Sequence, residues 1–113
     1  MDKHLDRKKV EDEIMTSDFS KLNGAVVRTM GLIFNGNWEK ASNLKLAFKD
    51  KSEGEFCFSL DYLQLCGAIK VRVIDSTEEV EINAFDLEEV EVRLSAYGIK
   101  LWRKVQTDEL IEI

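Results

Sequence analysis

The sequence predicts a mainly β protein of the α+β class: an antiparallel meander sheet or small barrel of about six to seven strands with one N-terminal helix. Three observations carry this expectation. Apolar and polar residues alternate with period two in Ile69–Val73 and again over residues 80–84, as half-buried strands require. Folding the two segments about Ser76-Thr77 sets Val73 against Val80, Val71 against Ile82 and Ile69 against Ala84 on one face, and Arg72 against Glu81 on the other, so apolar pattern and charge select one register. Turn-forming residues also recur at intervals of roughly 8–12 residues, the spacing of a meander.

The elements follow in order. Residues 2–15 are dense in charge, with Arg7/Glu11, Lys8/Asp12 and Lys9/Glu13 four apart and Leu5, Val10, Ile14 and Met15 as apolar anchors, which predicts an amphipathic helix docked through Val10, Ile14 and Phe19. The short polar side chains of Thr16-Ser17-Asp18 compete for the backbone and are expected to end it, so the helix is placed within residues 1–18 and the sheet over residues 22–113. Asn23-Gly24 reads as a turn. Residues 25–34 favour a strand, and Asn35-Gly36 reads as a tight turn leading into an irregular loop around Trp38. Residues 44–48 and 56–62, joined by the turn-rich Asp50-Lys51-Ser52-Glu53-Gly54, alternate as a further hairpin that brings Phe56, Phe58, Leu60 and Tyr62 onto one face. A last hairpin joins Val90, Val92 and Leu94 through Ser95-Ala96-Tyr97-Gly98 to Ile99 and Leu101, placing Glu89 and Glu91 near Lys104 and Trp102. The apolar tail Leu110, Ile111 and Ile113 either adds an edge strand or docks on a partner.

Composition bounds the function. A chain of 113 residues with 44% hydrophobic and 34% charged residues suits a single globular domain, residues 1–113, able to fold without metal or disulfide support. A net charge of −6 and a sequence pI near 4.8 argue against nucleic acid and anionic lipid, both of which are gripped by Lys and Arg on phosphates. The N-terminus has no apolar signal segment, and no later run is long enough to span a membrane. The expected setting is therefore cytoplasmic, with Cys57 and Cys66 as free thiols in no metal or redox spacing.

The chain offers little catalytic chemistry. Its single histidine, His4, lies in the most solvated segment and makes a poor catalytic base. No glycine-rich phosphate loop is present, and Asp75-Ser76-Thr77-Glu78-Glu79 lacks the ligand alternation of a calcium loop. No catalytic, cofactor or metal site is predicted, and the chain leans away from an enzyme. Two features stand out as candidate contact sites. Trp102, with Lys100 and Lys104, falls on the polar face of a predicted edge strand over residues 99–105, and a helix or the tail covering it is the plain alternative. Trp38 and Asn37 lie in an asparagine-rich loop, where plugging the end of a barrel is the plain alternative.

The expectation is a small acidic non-enzymatic interaction module that binds another protein or itself. In the homodimer form, Trp102, Lys100 and Lys104 meet Glu89 and Glu91 of a second copy. The alternative is a carrier of a small neutral apolar ligand held inside the curved sheet or barrel.

Overall fold

In a computed structural model, which describes the backbone of residues 3–113 and side chains from Met15 onward, helices dominate. The order is α1 (Lys3–Leu32), β1 (Glu39–Lys40), α2 (Ala41–Leu46), α3 (Glu53–Leu65), β2 (Ile69–Val73), a 3-10 turn (Ile82–Ala84), β3 (Val90–Leu94) and α4 (Ala96–Trp102). The mainly β meander or barrel of six to seven strands is overturned: the described residues form an α+β fold with four helices and one open three-stranded antiparallel sheet, ordered β1-β3-β2.

The N-terminal helix does not end at residues 16–18. It runs to Leu32, and the predicted strand over residues 25–34 is its last two turns and exit. Leu22, Val26, Val27 and Met30 are buried at helical spacing, so one face meets the core. The predicted breakers Thr16-Ser17-Asp18 lie inside the helix, and further along it short polar side chains bond back to its own carbonyls: Ser20 Oγ donates to the Ser17 carbonyl at 3.2 Å, and Thr29 Oγ1 to the Ala25 carbonyl at 2.8 Å. The helix stops where Asn35 and Gly36 adopt positive φ of 53° and 73°, with the Gly36 N–H on the Met30 carbonyl at 3.2 Å. The Asn35-Gly36 turn is thus present, but it closes a helix. The predicted charge pairs at positions 7–13 and the surface reading of His4 concern side chains outside the described set.

The hairpin predicted over residues 44–48 and 56–62 is instead the helix pair α2 and α3. Leu44 and Phe48 are buried whereas Leu46 is 62% exposed; Phe56, Leu60 and Leu63 are buried whereas Phe58 is 63% exposed. That is a 3.6-residue period sampled at even positions. Ser52 sets the start of α3 with a capping box, its hydroxyl accepting the Glu55 N–H at 3.1 Å while Glu55 reaches back to the Ser52 N–H.

Strands β2 and β3 stand where the alternation put them, but they pair with each other. Ile69 faces Leu94, Val71 faces Val92 and Val73 faces Val90, which buries Val90, Val92 and Leu94. The segment at residues 80–84 has less to bury, since Ala84 is exposed. It makes only a bridge from Glu79 to Arg72 and a Val80 N–H bond to the Val71 carbonyl at 3.0 Å before turning. Gln64 of α3 holds that turn, accepting the Ile82 N–H at 2.9 Å and donating to the Val80 carbonyl at 2.7 Å. Arg72 therefore pairs with Glu91, at 2.5 Å, and not with Glu81. The predicted edge strand over residues 99–105 is replaced by α4, capped by Ser95 Oγ on the Gly98 N–H at 3.0 Å.

The tail docks on its own chain. The Glu112 N–H donates to the Ser20 carbonyl at 3.0 Å, and Ile111 is buried. Approach is this close because residue 24 is glycine: a Cβ there would sit 1.7 Å from the Glu112 carbonyl oxygen. Cys57 and Cys66 are both free; they lie on and at the end of α3 and not on one extended strand, and at about 1.5 Å per residue the helix holds them beyond bridging reach. Among the described residues, no helix is long and apolar enough to cross a membrane.

Helix and strand readings of α3 make opposite predictions for two aromatic residues. Phe56→Ala should cost about 3–5 kcal/mol, as for other buried phenylalanines, whereas Phe58→Ala should stay within about 0.5 kcal/mol, as for surface sites. Urea unfolding of the two variants decides between them; comparable losses would restore the strand.

Candidate protein-docking groove

The residues singled out in the sequence are dispersed. Trp102 ends α4 half-buried, with its ring against Gly31 of α1, where a Cβ would come within 2.4 Å of it, and with Arg103 over the ring at 4.5 Å. Part of the ring is thus covered by α1. Lys100 and Lys104 are exposed on α4 and just beyond it. Glu89 lies in the turn before β3 and Glu91 on β3 itself, bonded to Arg72. These residues do not form the opposed strand faces expected of them.

Trp38 and Glu91 are brought together, through Arg72. The Arg72 guanidinium lies 4.0 Å above the Trp38 ring while its Nε donates to Glu91, and Arg93 approaches the same ring at 5.7 Å. This stack satisfies itself: the cation has both an aromatic face and a carboxylate. Asn37 is exposed beside it and belongs to no cluster.

Helices α2 and α3 follow one another through residues 47–52. In readers of DNA an exposed helix enters the major groove with donors and cations. Here α3 carries Glu53, Glu55 and Asp61 and no lysine or arginine, so its charge opposes phosphate. Among the described residues, no group of three His, Cys, Asp or Glu converges to hold a metal.

The feature that stands out lies between α1, the start of α3 and the tail. A groove of about 540 Å³ is lined by Met15, Phe19, Leu22, Phe58 and Leu110, with Asp18, Lys51 and Glu55 among its polar residues. Met15 is 69% and Phe58 63% exposed, far more than side chains of that size need be. Phe19 bridges the two helices, its ring 4.9 Å from Phe58 and 5.6 Å from Tyr62. The sequence marked Phe19 as a docking residue and misassigned Phe58 to the core. The latter was legible only by asking which of Phe56 and Phe58 a helix would bury.

Buried hydrogen bonds set the walls. Asn23 Nδ2 donates to the Leu110 carbonyl at 2.9 Å and Asn23 Oδ1 accepts from Ser59 Oγ at 2.5 Å, tying α1 to both the tail and α3. Tyr62 Oη donates to Asp108 Oδ1 at 2.8 Å, and Asp108 also takes the Leu110 N–H at 2.8 Å. Burial, then the bond and charge of Asp108, push the Tyr62 phenol well above its ordinary value. Burial raises the Cys57 and Cys66 thiols as well, which keeps them protonated and unreactive at neutral pH. The groove holds an apolar floor and a charged rim, with no group poised for proton transfer.

The raised phenol has a pH signature. A tyrosine whose folded pKa exceeds its unfolded value near 10 contributes stability that is complete below that pH and is lost as pH rises above it. Tyr97 is raised in the same sense by burial. Urea unfolding midpoints should therefore hold steady up to about pH 9 and fall from about pH 10 upward. Tyr62→Phe should flatten that fall while losing about 1 kcal/mol at neutral pH with the Asp108 bond; an unchanged alkaline profile would remove Tyr62 from the account.

The chain matches no protein-family model, no curated protein and no solved structure, so its function rests on its own surface chemistry.

Proposed function

We propose that this chain is a non-enzymatic protein-interaction module that seats an apolar, cation-flanked helix in the groove between α1, α3 and the tail. The observation that carries the reading is the adjoining exposure of Met15 and Phe58, 69% and 63%, on two helices that frame one concavity. A helix laid in such a groove offers apolar side chains at three- and four-residue spacing to the floor and charges to the rim.

The charge of the partner follows from the rim. Asp18 and Glu55 line the groove against Lys51, Glu53 is one residue from the start of the same helix cap, and the whole chain carries −6. Cations at the flanks of the incoming helix meet this field favourably, and anions do not. The same field disfavours nucleic acid. Protonated thiols without a bridge fit a cytoplasmic setting. The carrier of a neutral apolar ligand needed a sheet closed around a cavity; the sheet is open and the core is filled by Phe56, Leu44 and Leu60, so this alternative is not carried forward.

Fluorescence anisotropy with two labelled synthetic amphipathic helices of the same apolar face, one flanked by lysines and one by glutamates, tests the reading at protein concentrations where the chain is monomeric. The lysine-flanked peptide should bind the parent at least about tenfold more tightly than the glutamate-flanked one, and Phe58→Asp should abolish the difference. Equal binding to parent and Phe58→Asp would place the contact elsewhere, and no binding of either peptide would end the proposal.

A further inference from the structure

The sheet has one face in the core and one face open. Ile69, Val71, Val90, Val92 and Leu94 are buried, so strand alternation puts Lys70, Arg72, Glu91 and Arg93 on the outer face. Trp38 joins them there, beneath Arg72 at 4.0 Å and with Arg93 at 5.7 Å from its ring. The antiparallel register couples these side chains rung by rung: Arg72 stands opposite Glu91, and Lys70 opposite Arg93.

The two rungs differ in kind. At the first, the chain supplies its own anion: Arg72 Nε donates to Glu91, and the bridge on its other side sets Glu79 beside the same arginine. At the second, two cations face each other on neighbouring strands, an arrangement that destabilises a sheet. Among the described residues, the ion pair formed is that of Arg72 with Glu91. Lys70 and Arg93 therefore have no carboxylate partner there, and Glu81, which follows the bridging segment, does not supply one. Lys70 is exposed and Arg93 half-buried beside the indole. The outer face is thus polarised, with its acids gathered at the Arg72 end and a pair of unneutralised cations, walled by Trp38, at the other.

We propose that this rung is an anion-recognition site, and that its occupant is a carboxylate side chain from a short acidic peptide segment of a partner protein, laid across the outer face of the sheet. The neighbouring rung is the precedent within the molecule: what Glu91 does for Arg72, an incoming Glu or Asp does for Lys70 and Arg93 together. The net charge of −6 does not forbid this. At physiological salt, charges more than about 8 Å apart are largely screened, whereas an anion on the rung touches both cations. Long polyanions fit less well, because a strand of phosphates running past the rung meets Glu91 and Glu79 on the same face and needs a row of cations that is absent beyond it. This surface is separate from the groove between α1, α3 and the tail, and the proposal does not depend on that groove.

Fluorescence anisotropy on the full chain tests it with three labelled probes: an extended peptide of alternating threonine and glutamate, its glutamine counterpart, and an oligothymidylate of similar length. The glutamate peptide should bind the parent at least about tenfold more tightly than the glutamine peptide and should weaken with salt. Lys70→Gln should weaken that binding by roughly three- to tenfold, and Arg93→Glu should abolish it. Because Arg93→Glu sets an anion opposite Lys70, it should at the same time raise the melting temperature by about 2–4 °C; a fall would show that the like-charge rung is not an unrelieved one and would overturn the argument. Phe58→Asp, in the groove, should bind the glutamate peptide as the parent does. Equal binding of the glutamate and glutamine peptides, undiminished binding by Lys70→Gln and Arg93→Glu, or loss of binding in Phe58→Asp would overturn the site. Tighter binding of the oligothymidylate than of the glutamate peptide would overturn the acidic peptide as occupant.

Discussion

Asn23 is the constraint on which the arrangement of this molecule depends. Its side chain is fully buried in the middle of α1, and a buried amide without partners would cost about 1–3 kcal/mol or more. Its partners come from distant parts of the chain: Ser59 on α3 and the Leu110 carbonyl of the tail. Satisfying one side chain thus requires α1, α3 and the tail to be in place together, which couples the two ends of the chain to its centre. The groove is a by-product of that coupling, because the same bond that holds Leu110 against α1 raises the wall opposite Phe58.

Around this bond, α1 is shaped for close approach. Ser20, Gly24 and Gly31 stand on the side that meets the tail and Trp102, and each is small enough for backbone or ring to lie directly on the helix. The large residues Leu22, Val26, Val27 and Met30 take the core. The helix has a third face, toward the groove, where Met15 is 69% exposed and half-buried Phe19 packs against Phe58 and Tyr62. Core and groove therefore draw on different residues of one helix, apart from Leu22, which serves both.

The topology also separates fold from function. Helices beside a small antiparallel sheet can present many kinds of surface, and here α3 presents acids and an exposed phenylalanine. What a scaffold binds depends on the groups at its surface and not on the order of its elements. The cation–aromatic stack of Arg72 on Trp38 makes the same point on the sheet face: a tryptophan and an arginine gathered together are explained by their contact with one another and with Glu91.

The sequence by itself determined where the chain would turn at Asn35-Gly36 and that Ile69–Val73 and Val90–Leu94 would be strands. The Ser52-to-Glu55 capping box was also present in the letters, and it marks a helix start that the alternation of Phe56, Phe58, Leu60 and Tyr62 obscured. Period two over a few residues does not separate strand from helix when every second residue is large and apolar, because positions i and i+4 are even in both. Only tertiary structure decided which of these residues met a core: burial of Phe56 and Leu60 and exposure of Phe58 arise from packing α3 on α1, a contact between segments some thirty or more residues apart, as the 36-residue separation of Asn23 and Ser59 shows. The same holds for strand partners, since residues 80–84 and 90–94 alternate alike, and the choice fell to the segment that buries Val90, Val92 and Leu94 in a core built by the helices.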